Sequence, residues 1–65
     1  MKKSKAEKQL DDRATRVASV ATSGNPVSVL KLGEVHKFAR AELLAGKSDA
    51  DAVLNTITFI RVGLK

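Results

Sequence analysis

The stretch of this 65-residue chain that comes nearest to a chemical motif is Ala41 to Ser48, AELLAGKS: a small residue, four others, then Gly-Lys-Ser. In a phosphate-binding loop that spacing works because a glycine-rich turn between a β-strand and a helix lets successive backbone N–H groups wrap the phosphates. Here Glu42, Leu43 and Leu44 are strong helix formers and no buried strand precedes them. The chain is also far too short for the sheet that carries such a site. Gly46 is therefore expected to stop a helix and Ser48 to cap the next, with no nucleotide bound.

His36 is the single histidine and cysteine is absent. Disulfide staples and thiolate metal sites are thereby excluded, and one imidazole cannot build a metal centre alone. Glu34 and Glu42 are not placed to complete a triad with His36. The expectation is a non-enzymatic protein without metal or cofactor, in which His36 is a structural residue at the edge of an apolar stripe.

The remaining chemistry is charge. The formal net charge is +5, and it is uneven. Residues 1–24 hold six Lys/Arg against three Asp/Glu, residues 25–47 hold four against two, and residues 48–65 are balanced. Such a surface favours an anionic partner. Lys2, Lys3, Lys5, Lys8, Arg13 and Arg16 are the candidate phosphate contacts in the first third, joined by Lys37 and Arg40. The only aromatics, Phe38 and Phe59, fit a core or an interface better than a stacking platform for single strands. A small nucleic-acid-binding accessory or regulatory protein, gripping duplex DNA mainly through phosphates, is one expectation. A basic surface fits an acidic protein equally well, so an adaptor or inhibitor docking through an apolar helix face is the other.

Residues 1–5 hold three lysines and no apolar anchor, which reads as a flexible basic arm ahead of a single domain at 6–65. Met1-Lys2-Lys3 lacks the apolar region of a secretory signal, and no run is long enough to span a membrane, so a cytoplasmic setting is expected. From Ala6, the residues Leu10, Ala14, Val17 and Ala21 recur at helical spacing, with Asp12 and Arg16 spaced as an i,i+4 pair. As an amphipathic membrane helix this stripe is weak, being mostly Ala and Val.

TSGNP at 22–26 is the strongest break: Gly24 suits a left-handed helix end, Asn25 a cap and Pro26 a first turn. Val27 to Leu32 is rich enough in β-branched and apolar residues for a short strand, but a helix from Pro26, or at least from Glu34, to Ala45 is preferred. Its core stripe would be Leu32, Val35, Ala39 and Leu43, with Phe38 on a flanking face. Ser48 followed by Asp51 has capping-box spacing and opens a third helix, Asp49 to Val62, with Ala50, Val53, Leu54, Ile57, Ile60 and Leu64 inward. Thr56 to Val62 also alternates as a strand would, and that alternative stays open.

The sequence thus predicts an all-α, three-helix domain, the second and third helices forming an antiparallel hairpin. A helix-turn-helix frame at Gly46 puts Glu42 in the small-residue slot, and a frame at Ala45 puts Asp51 where a buried residue is needed. Major-groove reading by the third helix is not expected. A chain this small often draws extra stability from a partner. A homodimer is predicted, with Phe59, Val62 and Leu64 as its self-association surface.

Overall fold

The computed structural model describes residues 4–63, and among them the chain forms three α-helices and no strand. They are α1 (Lys5–Ser23), α2 (Val29–Leu44) and α3 (Asp49–Gly63), and each packs against the other two. Both open strand alternatives are replaced by helix, at 29–32 in α2 and at 56–62 in α3. Among the described residues no helix is long and apolar enough to cross a membrane.

α1 starts one residue earlier than periodicity suggested, because Ser4 caps it. The Ser4 hydroxyl accepts from the Glu7 N–H at 3.1 Å, the first half of a capping box that the sequence spells as Ser-x-x-Glu. At its other end Gly24 has φ −105°, not the left-handed value expected of it. Asn25 faces backwards too. Its side-chain amide donates to the Ala21 carbonyl at 3.2 Å, so it closes α1 and leaves Ser28 as the cap residue of α2. Pro26 and Val27 therefore precede the second helix, which begins at Val29.

The α2–α3 turn is a Schellman closure. Gly46, with φ +89°, donates to the Leu43 carbonyl at 3.0 Å, and Lys47 donates to Glu42 at 3.2 Å. Ser48 then caps α3, its hydroxyl accepting from the Asp51 N–H at 3.2 Å. Asp49 and Asp51 in the first turn and Arg61 in the last both match the helix dipole. The Gly-Lys-Ser segment thus lies between two helices, and its serine is used as a cap.

The core is built from small side chains. One cluster joins Ala14 and Val17 of α1, Ala39 and Leu43 of α2, and Ala52 of α3. A second joins Ala18 and Ala21, Val35, and Ile60. Alanines at the contact lines let the helix axes approach closely, so interdigitation replaces large side chains as the source of packing. Thr56, fully buried, is satisfied by its own helix: its hydroxyl donates to the Ala52 carbonyl at 2.6 Å.

The inward stripes of α1 and α2 follow the expected lines at Ala14, Val17, Ala21, Val35, Ala39 and Leu43. Ala6 and Leu32 do not join them. Leu32 is exposed and borders, with Ser19 and Thr22 of α1, a groove at the α1–α2 seam. In α3 the buried line is Ala52–Thr56–Ile60, rotated from the expected one. Val53 and Ile57 are half-buried on its flank, and Ala50 and Leu54 face outward. Ile60, expected inward, is buried, and Val53 and Ile57 pack against the core clusters, while Ala52 and Thr56 hold the fully buried positions that Ala50 and Leu54 were expected to share.

Candidate functional site

The basic residues proposed for phosphate contact divide into two groups once the helices are packed. Arg13 reaches across to the start of α3, donating from Nε at 3.0 Å and from Nη2 at 2.6 Å to one Asp49 carboxylate oxygen. Arg40 of α2 donates from Nε to Asp11 of α1 at 3.0 Å. These two arginines tie α1 to each of its neighbours. The i,i+4 pairing of Asp12 with Arg16 is not made among the described residues.

Lys5, Lys8 and Arg16 form the second group. They are exposed and pair with no carboxylate among the described residues; Lys5 and Lys8 lie on the side of α1 away from Ala14, Val17 and Ala21, and Arg16 also borders a groove lined by Val17 and by Asp49, Ala50 and Val53 of α3. Asp12 sits between Lys8 and Arg16 on the same face, so its charge offsets part of theirs. Lys37 is exposed on α2 and is also unpaired among the described residues. Lys2 and Lys3 lie outside the described residues. Nine of the twelve Lys/Arg fall within residues 4–63, against all seven Asp/Glu, so most of the net positive charge belongs to the two chain ends.

The seam between α1 and α2 carries a polar ladder above the Asp11–Arg40 pair. Thr15 Oγ1 donates its hydroxyl proton to the Asp11 carbonyl at 2.9 Å, and His36 Nε2 lies 3.1 Å from Thr15 Oγ1. A hydroxyl has one proton, so His36 Nε2 is the donor in that contact. His36 is half-buried and structural in this arrangement. Among the described residues no group of three or more His, Cys, Asp or Glu could hold a metal ion.

Phe38 and Phe59 stack on one another across α2 and α3, with ring centroids 4.4 Å apart and planes within 5°. Two shallow grooves flank the stack. One is lined by Glu42, Asn55, Thr58 and Val62, the other by Glu34, Lys37 and Ala41. Asn55 donates to the Glu42 carboxylate at 2.5 Å along the first rim. Of the residues proposed for self-association, Phe59 is half-buried in this stack and Val62 is 79% exposed beside it. Leu64 lies outside the described residues. Leu30 and Val29 at the start of α2 are exposed as well, at 90% and 83%.

Two features escaped the sequence reading. The acidic partners Asp11 and Asp49 had no local signal, since both pairs join residues far apart in the chain. The ring stack did have one: Phe38 and Phe59 each fall off the main stripe of consecutive helices. Compared with protein-family models, curated proteins and solved structures, the chain matches none of them.

Proposed function

We propose that this chain is a small non-enzymatic nucleic-acid-binding protein that acts through phosphate contacts. The observation that carries the reading is the division of the cations. Arg13 and Arg40 are held in interhelical pairs, while Lys5, Lys8 and Arg16 stand exposed and unpaired on the outer face of α1. Lys2 and Lys3, which precede α1 in the sequence, add to the basic charge of this end of the chain. Its mechanism is electrostatic: counterions leave the nucleic acid as phosphates are neutralised, so affinity falls as salt rises. Titration of labelled DNA across salt concentrations tests the reading. Salt-dependent binding that weakens on Lys8→Ala or Arg16→Ala supports it; absence of binding at low salt overturns it.

A second reading is favoured by the aliphatic surface. Val29, Leu30, Leu44, Leu54 and Val62 are exposed, while five of the ten buried residues are alanines. In this reading the chain is an adaptor or inhibitor that covers these residues with an acidic protein partner. Self-association through Phe59, Val62 and Leu64 is a related proposal, tested by molar mass in solution: twice the chain mass at tens of micromolar supports a homodimer. The α2–α3 pair is proposed to be an antiparallel hairpin. Successive contacts support this, since Glu42 meets Asn55 while the earlier Phe38 meets the later Phe59.

A further inference from the structure

A groove at the end of the bundle, where the α1–α2 connection meets the last turn of α3, differs in charge from those beside the ring stack. Lys31 of α2 and Arg61 of α3 both line it, and the side chain of neither has a polar partner among the described residues. We infer that this groove is a binding site for a small organic phosphate monoester, its phosphate held between Lys31 and Arg61. The site uses none of the cations assigned to nucleic acid above and goes beyond that reading.

Like charges brought to one groove by two helices repel each other, and an anion between them turns repulsion into attraction. No Asp or Glu lines this groove. By contrast, Glu42 and Glu34 stand on the grooves beside Phe38 and Phe59, and Asp49 on the one between α1 and α3. The other polar side chains at the site can donate. The Ser28 hydroxyl makes no cap bond, and the Asn25 amide gives one hydrogen to the Ala21 carbonyl at 3.2 Å and keeps its second. An ammonium, a guanidinium, a hydroxyl and an amide N–H suit a group with three terminal oxygens better than a carboxylate with two. Charge selects further: a phosphate monoester carries about −1.5 to −2 at neutral pH, matching two cations, whereas a phosphodiester carries a single negative charge. Pro26, Val27 and the buried Ile60 add apolar lining. The groove volume of about 420 Å³ exceeds what a lone phosphate ion fills, so there is room for the organic group esterified to it.

The test is a nitrogen-15 NMR titration of the full chain with phenyl phosphate at constant ionic strength, with dimethyl phosphate as the diester comparison. The expected result is saturable shifts centred on the amides of Ser28, Lys31 and Arg61, and weaker binding of dimethyl phosphate. Lys31→Gln and Arg61→Gln are each expected to weaken phenyl phosphate binding about tenfold. Lys47→Gln, an exposed cation in the α2–α3 turn, is expected to leave it unchanged. No saturable shift at these amides, or a diester bound as tightly as the monoester, overturns the inference. An equal loss in Lys47→Gln overturns it too, by showing general attraction to a basic chain. Shifts at these amides caused by a short DNA duplex and not by phenyl phosphate would make the groove part of the nucleic-acid surface, overturning the inference while leaving that reading standing.

Discussion

Arg13 on α1 grips Asp49 on α3 with two hydrogen bonds to a single carboxylate oxygen, at 3.0 and 2.6 Å, across 36 residues of chain. The pair fixes the start of α3 against the middle of α1, beside the alanine-lined contact of Ala14 with Ala52. Both side chains are nearly half exposed, so solvent screening keeps the interaction modest. A double-mutant cycle with Arg13→Ala and Asp49→Ala, read by urea denaturation, is expected to give a coupling of roughly 0.2–1 kcal/mol. A coupling of zero would show that the contact does not hold the helices together.

The glycines separate by backbone conformation. Gly46 alone among the described residues has positive φ, at +89°, so Gly46→Ala is expected to cost about 1 kcal/mol. Gly33 lies inside α2 with open space where a Cβ would go, and Gly33→Ala is expected to stabilise by about 0.5–1 kcal/mol. Thermal melts of the two variants should move in opposite directions. A loss of stability in Gly33→Ala would contradict the helical assignment at that position.

The small-residue core makes a different demand. Ala39 is fully buried between α1 and α3 neighbours, so Ala39→Leu is expected to overpack the bundle and destabilise it by about 1–3 kcal/mol. Thr56 is also fully buried, but its hydroxyl bonds only to its own helix. Thr56→Val keeps the shape, removes a buried polar group and leaves the backbone ladder intact, so it is expected to be neutral or stabilising. Chemical denaturation of both variants checks the pair. An Ala39→Leu protein as stable as the parent would show that the helices are not closely apposed.

At the α1–α2 seam the hydroxyl of Thr15 donates to the Asp11 carbonyl, which assigns the His36 proton to Nε2. In nitrogen-15 NMR spectra recorded where the imidazole is neutral, His36 is expected to show the Nε2–H tautomer. Observation of the Nδ1–H tautomer would require Thr15 to donate to His36, leaving its bond to Asp11 broken.

Much of the fold was legible because its signals are local. Gly46 and Ser48 mark a helix stop and start by backbone freedom and a cap bond, and both did so in the structure. The Ala14–Val17–Ala21 and Val35–Ala39–Leu43 lines followed from spacing alone. The inward face of α3 was read in part: Ile60 is buried and Val53 and Ile57 pack against the core, but Ala50 and Leu54 face outward while Ala52 and Thr56 take the fully buried positions. The candidate site was less legible. Nothing near Arg13 or Arg40 in sequence indicates that each is held by a carboxylate on another helix, and only the packed bundle separates them from Lys5, Lys8 and Arg16.

That separation is the central claim, and the salt dependence of duplex binding tests it most directly. Each phosphate contact contributes about −0.9 to the slope of log K against log salt. Lys8→Ala and Arg16→Ala are each expected to flatten the slope by about 1. The double variant Arg13→Ala with Asp49→Ala removes a charge pair that sums to zero, and is expected to leave the slope as it is. A slope flattened by that double variant and unmoved by Lys8→Ala and Arg16→Ala would contradict the account.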